Sequence, residues 1–387
     1  MPASSVSVTF PSYGSREELP RGVRVIREEY RHDIAVYETT LPRRNFAHKS
    51  GTPVSIKWAH NRNSSEFFGY VNHIEPIGDN RVTVWCRSAS SSLDNGAQAI
   101  FRDRTVSSIV GEVARSLNFD AAVVEHGQVF DSITATGGRL WRTLVENAEE
   151  IGYSFYATNT RLMLHPRLAT VRKYAGEAPV LLSEPGGEFH SLFEFSPVDG
   201  HATPGRSRPN RIINGIDPRT GAKFSVKGGV MRSELGRTMT LPTGTVYENL
   251  GRATPMEARW KLAAIAENER FNISAGALAA GDPRVTQTWP VIVAGTGSLY
   301  EGLWFVNKVV HNITDPIYTM DLQLSKDGQG STVDIPDVRA RRVIATRNNP
   351  QGRPKSVFPA SVLVGGQWRS QWSASSRTFV EKSARVR

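Results

Sequence analysis

The chain has 387 residues and a mass of 42.7 kDa, with 39% hydrophobic and 22% charged residues. This is globular composition, too long for one ordinary core and too apolar for wholesale disorder, and it implies two or three domains. A formal charge of +10 opens a nucleic-acid or anionic-surface reading, while a single cysteine, Cys86, excludes an intramolecular disulfide and any cysteine-built zinc or iron–sulfur centre.

The start, Met1-Pro2-Ala3-Ser4-Ser5, lacks a basic segment followed by an apolar run. No stretch approaches the length of a membrane-spanning helix, so the expectation is synthesis in a cytoplasm, without an export address or membrane anchor. Residues 1–96 read as β. Val23 to Tyr37 is rich in Val and Ile, and Val54 to Trp58 and Val82 to Trp85 alternate cleanly. Turn signals separate them at Lys49 to Pro53, His60 to Asn63 and Gly78 to Asn80. Residues 97–170 read as a compact α+β unit. Val106, Ile109, Val110, Val113 and Leu117 form one helical stripe; Leu140, Trp141, Leu144, Val145, Ala148 and Ile151 form a second. Gly152 fits the left-handed position that ends a helix. Tyr153 to Phe155 and Leu162 to Leu164 then read as a hairpin around Thr158-Asn159-Thr160. A second β region, 171–330, includes Arg211 to Ile213, Phe224 to Val226, Val291 to Val293, Trp304 to Val306 and Tyr318 to Leu324. One helix interrupts it, started by Thr254-Pro255-Met256-Glu257, a capping box with proline at the first helical position, and ending before Asn272.

The two β regions echo each other. Pro53-Val54-Ser55-Ile56 followed by Tyr70-Val71-Asn72 matches Pro290-Val291-Ile292-Val293 followed by Phe305-Val306-Asn307. A duplicated strand order is one explanation, and chance similarity of valine-rich strands is the other. Duplication would give one chain two quasi-equivalent surfaces, and three such chains a six-fold-like ring.

The run from Phe101 through Leu117, then Gly138-Arg139-Leu140-Trp141 through Glu150-Ile151-Gly152-Tyr153, resembles the baseplate hub proteins of phage tails, including the late-control tail proteins and the hub part of type VI secretion spikes. Gly281-Asp282-Pro283, Gly302 to Val306 and Tyr318 to Leu322 look like that family's closing strands. The resemblance covers roughly residues 20–328. It implies a mainly β fold in which two tube-like β-barrel domains flank a small α+β domain. It also implies a homotrimer joining a hexameric tail tube, or distal tail protein, to a three-fold spike or central fibre. The tape-measure protein and DNA would pass through the channel in transit, the location would be the virion tail tip, and no catalytic residue or cofactor is implied. Edge strands around Val71, Asn72, Val306 and Asn307 are the expected subunit contacts.

The nine histidines form no metal-binding spacing, and His73 and His165 read as strand or surface residues. No phosphate loop or nucleophile elbow is present. Glu146, Glu149 and Glu150 share one helix; they read as its solvated face, with a paired-carboxylate cell-wall hydrolase as the enzymatic alternative. Trp58 near His60 and Arg62, and Trp85 near Arg87, read as core aromatics rather than base-stacking platforms. Residues 331–387 hold eleven basic and three acidic side chains, so this segment carries +8 of the net +10. It reads as an arm that orders on a neighbouring virion protein, with Phe358, Leu363, Trp368 and Trp372 as the burying residues; nucleic-acid binding through it is the other alternative.

Overall fold

The computed structural model describes residues 5–11, 16–18, 20–40, 49–61, 63–78, 80–95, 98–183, 191–199, 210–228, 234–236, 244–314 and 317–331. The expected arm and its Phe358, Leu363, Trp368 and Trp372 lie outside the described residues.

The first β region contributes β1 (Ser5–Phe10), β2 (Arg16–Glu18), β3 (Gly22–Glu28), β4 (Ile34–Thr40), β5 (Pro53–His60), β6 (Asn63–Gly78) and β7 (Arg81–Ser88). A helical turn, Ala89–Asn95, leads to the insert, made of β8 (Ala99–Thr105), α1 (Val106–Ser116), β9 (Asp120–Val123), β10 (Val129–Ala135), α2 (Leu140–Glu150), β11 (Tyr153–Thr158), β12 (Arg161–Pro166) and α3 (Arg167–Tyr174). There follow β13 (Val180–Leu182), β14 (Leu192–Asp199), β15 (Asn210–Ile216), β16 (Lys223–Gly228), β17 (Thr245–Arg252), α4 (Pro255–Arg270), β18 (Ile273–Ala280), β19 (Pro290–Ala294), β20 (Gly302–Thr314) and β21 (Ile317–Lys326). None of the described helices is long and apolar enough to cross a membrane.

The chain is mainly β with an α+β insert, as the sequence leads one to expect. The barrels take a different form. Strands of both β regions join in one 13-stranded sheet, ordered β14-β18-β21-β20-β3-β4-β7-β6-β5-β1-β2, with β19 on β20 and β13 on β19. Among the described residues this sheet does not close into a barrel. The reason lies in β20. Its first half pairs β19, and its second half continues onto β3, antiparallel, from Lys308 opposite Glu28 to Ile313 opposite Val23. One core therefore serves both regions, with Val25, Tyr37, Ile56, Trp58 and Phe67 packed in the same cluster as Trp304, Val309, Ile313, Tyr318 and Leu322. At about 1.5–3 kcal/mol for each large buried apolar side chain, this shared core dominates the stability of both regions. Trp58 Nε1 donates to the Tyr318 hydroxyl at 3.1 Å, and Tyr318 lies 2.8 Å from His311 Nδ1, so polar contacts inside the core also cross between regions.

The echo is structural. In one region the strands run β3-β4-β7-β6-β5; in the other they run β14-β18-β21-β20-β19. Pro53 pairs with Tyr70, and Pro290 pairs with Phe305. The Val71 amide donates to Thr52 and the Val306 amide to Trp289, each the residue before the matching proline. Both ladders then slip by one residue at the matching asparagine, between Val71 and His73 and between Val306 and Lys308. Such a bulge leaves one residue unpaired and bends the strand. We refer to the two halves as the first and second repeats.

In the insert, α1 buries Val106, Ile109, Val110 and Val113, and Thr105 caps its start by accepting from the Ser108 amide. Helix α2 buries Trp141, Leu144 and Ala148 against them. Gly152 follows with φ +73°, and a Cβ there would lie 2.8 Å from the Ala264 backbone of α4, so both backbone shape and close approach demand glycine. The hairpin is β11 with β12, turned at Asn159. Val129 to Ala135, between the helices, forms β10 and pairs with β8. Arg211 to Ile213 and Phe224 to Val226 belong not to the main sheet but to a separate one, β16-β15-β17, which α4 covers through Ala258 and Leu262. The capping box of α4 is present, with Thr254 and Glu257 each bonding the other's amide.

Candidate functional site

The chemistry-bearing residues that burial brings together sit at the turn between β3 and β4, residues 29–33. Strand β3 alternates inward and outward, and Arg27 occupies an inward position. Arg27 is 2% exposed and ion-paired with Asp33 at 3.3 Å; its Nη2 donates to the Glu66 carbonyl, and its guanidinium lies over the Trp58 ring. Gln287 Nε2 donates to Asp33 Oδ1 and to the Ala157 carbonyl, which ties the sheet to the insert. Burial holds the Asp33 carboxyl above the ordinary carboxylate range, and Arg27 opposes that shift.

Glu29 faces the insert. Arg167 grips it through Nε and Nη2, each at 2.9 Å, and Ser154 Oγ donates to the same carboxylate at 2.6 Å. Asn307, at the bulge of β20, donates to Glu29 at 3.4 Å and accepts from its amide at 2.8 Å. Tyr30, at φ +65°, bonds the Phe155 carbonyl through its amide, and its own carbonyl accepts from Trp141 Nε1. One five-residue turn thus fastens the sheet, the insert and the second-repeat bulge. The bidentate fork is the geometry in which guanidinium and carboxylate bind most specifically. No short motif marks this joint: Glu29 and Arg167 are 138 residues apart, and only a charged residue inside an alternating strand, Arg27, hints at it.

The expected contact residues divide by repeat. Val71 and Val306 are both buried, and their amides and carbonyls are bonded within the chain, to Thr52 and Gly51 in one repeat and to Trp289 and Thr288 in the other. Asn72 is exposed and its carbonyl accepts from Ser50 Oγ; Asn307 is half-buried in the joint. His73 stacks on Trp85 on the outer face, 5.5 Å between rings. Trp85 is half-buried there rather than part of the core, whereas Trp58 is core. His165 is buried in β12 beside Thr170 and Tyr156, and burial pushes its imidazole down to about 4. Cys86 is a buried thiol with its ionisation pushed up by burial. Glu146, Glu149 and Glu150 are all exposed on α2, and Glu146 pairs with Arg142 one helical turn away. Among the described residues no group of three or more His, Cys, Asp or Glu side chains is arranged to hold a metal ion.

No known family matches the sequence, and no curated protein matches it. Solved structures do. A tail protein from Neisseria meningitidis aligns with a TM-score of 0.57 at 13% identity, covering 84% of this chain and 97% of that one. The 43 kDa tail protein of prophage MuSo2 from Shewanella oneidensis aligns at 0.56 and 14% identity, covering 84% of this chain and 100% of that one. A component of the type VI secretion system of E. coli, described as similar to the T4 tail proteins gp27 and gp5, aligns at 0.50 and 8% identity, covering 86% of this chain and 78% of that one. At these identities the likeness establishes a shared fold.

Proposed function

We propose that this chain is a structural protein of a phage-type tail, the hub that joins the tail tube to a spike or central fibre at the tail tip. The observation that carries the reading is the duplicated strand order, with matching prolines, matching registers and matching bulges, on a fold shared with tail proteins. Two like repeats per chain let three chains present six similar faces to a six-fold tube and a three-fold face to a spike. The mechanism is geometric, not catalytic. A homotrimer lines a channel through which tape-measure protein and DNA pass, and the buried joint at Glu29 and Arg167 keeps the insert at a fixed angle to the ring.

Two measurements test this. Gold-labelled antibody on purified particles is expected at the distal tail only, and native mass spectrometry is expected to give three chains. Label on the capsid, or a chain absent from particles, would remove the tail role; a stable dimer would remove the trimer.

A further inference from the structure

The small sheet β16-β15-β17 lies with one face under α4, and no described element covers the other. Ile213, Phe224, Val226 and Leu250 turn toward Ala258 and Leu262 of the helix. Their neighbours along each strand therefore turn outward. The two ladders place those neighbours in three rungs. At one end Lys227, Ile212 and Tyr247 lie side by side. The middle rung is polar and uncharged, with Ser225, Asn214 and Asn249. At the other end stand Lys223, Ile216 and Arg252. Arg252 owes its place to a bulge: β17 has Leu250 and Gly251 where β15 has Gly215 alone. Gly251 has φ +66°, and its amide donates to Asn249 Oδ1 at 2.9 Å, which leaves the Asn249 amide N–H groups free to face outward.

Cations thus hold three corners of the face and Tyr247 the fourth. Tyr247 is 69% exposed, more than any other large hydrophobic side chain described, and Ile216 is 42% exposed. No acid stands on the face. The acids nearest in sequence point elsewhere, Glu248 to Lys261 of α4 and Asp217 to the Arg219 amide in the turn. Its partner is therefore anionic.

Size and composition narrow the partner further. Three strands and four residue steps span roughly 10 by 13 Å. A stable protein partner needs about 800 Å² from each side, far more than this face offers. A single strand of nucleic acid stacks successive bases on successive rings, and here one ring stands alone. A pyranose ring instead lays an apolar C–H surface on one aromatic face and turns its hydroxyls sideways to amide and hydroxyl groups. We infer that this face binds a short acidic oligosaccharide, with a sugar ring on Tyr247, its hydroxyls on Ser225, Asn214 and Asn249, and its carboxylates on Lys223, Lys227 and Arg252. The argument uses the face alone and goes beyond the tail role.

Calorimetric titration of the full chain at low salt tests it, with oligogalacturonate, oligosialate and oligohyaluronate as probes. At least one is expected to bind, and more weakly as salt rises. Tyr247→Ala should weaken binding about 10-fold, a loss of roughly 1.4 kcal/mol, while Tyr247→Phe keeps the ring and should stay within about 2-fold. Lys223→Gln/Lys227→Gln should weaken binding and flatten its salt dependence. All these positions are exposed, so thermal unfolding should not move. Binding of none of the three saccharides would overturn the inference, and so would binding that the face variants leave unchanged, since the basic residues 331–387 would then carry it. Equal loss in Tyr247→Phe and Tyr247→Ala would remove the stacked sugar. Oligoglutamate bound as tightly as the saccharides would reduce the face to charge alone, and oligothymidylate bound more tightly, through Tyr247, would make it a nucleic-acid face; either overturns the inference. Failure here with label at the tail tip leaves the tail role standing, and Tyr247-dependent saccharide binding by a chain absent from tails removes that role alone.

Discussion

The two repeats share strand order, register and bulge, yet the chain uses them oppositely. In the second, a long excursion holding β15, β16, β17 and α4 separates β14 from β18; in the first, a five-residue turn separates β3 from β4. That short turn holds Glu29, and the bulge of the second repeat receives it through Asn307, while the matching Asn72 stays in solvent. Duplication supplied the frame, and the buried charges at one copy of the bulge turned it into a joint. Position for position, similar backbones have been given a rigid role and an open role.

The sharpest way to break this comparison is Glu29→Ala. It leaves Arg167 buried without its carboxylate, and removing one partner of a buried pair costs about 3–5 kcal/mol. Denaturant unfolding should show that loss, whereas a cost near that of an exposed ion pair would mean the joint is not structural. Next comes Gly69→Ala in the first repeat, whose counterpart is Trp304. A Cβ at Gly69 would sit 2.0 Å from the Arg87 carbonyl oxygen, so the strands must part, at about 2–3 kcal/mol. Thermal unfolding measures it.

A third test uses pH, on His311 of the second repeat. Burial pushes the His311 imidazole down to about 3 from the ordinary 6.5. A base with a depressed folded value stabilises the fold fully above pH 6.5, and that contribution falls as pH drops toward 3, by up to about 1.4 kcal/mol per unit. His311→Gln should flatten stability against pH over that window; an unchanged slope would assign the acid sensitivity to His60 or His165, which burial also depresses to about 4. The least effect belongs to Asn72→Ala, within about 0.5 kcal/mol, as for an ordinary surface change.

Much of the insert was legible because its signals are local. The stripes of α1 and α2, the left-handed Gly152, the Asn159 hairpin and the Thr254–Glu257 box each depend on residues a few positions apart. Strand β8 was not legible, since Arg102, Asp103 and Arg104 interrupt any alternation and only its partner β10 makes it a strand. Helix α3 was missed because just Leu168, Thr170 and Val171 are buried, too few to show a stripe.

The sequence by itself determined a mainly β chain, a compact α+β insert and two strand sets of like pattern, because period, turn chemistry and capping are properties of neighbouring residues. It also placed the excess charge in residues 331–387. Only the tertiary structure decided that both strand sets share one sheet and one core, that Arg27 and Glu29 are buried, and which described strands end the sheet. Those outcomes depend on which strand pairs with β20 and on partners more than a hundred residues away. No local pattern encodes them, because strand edges are alike until a register chooses between them.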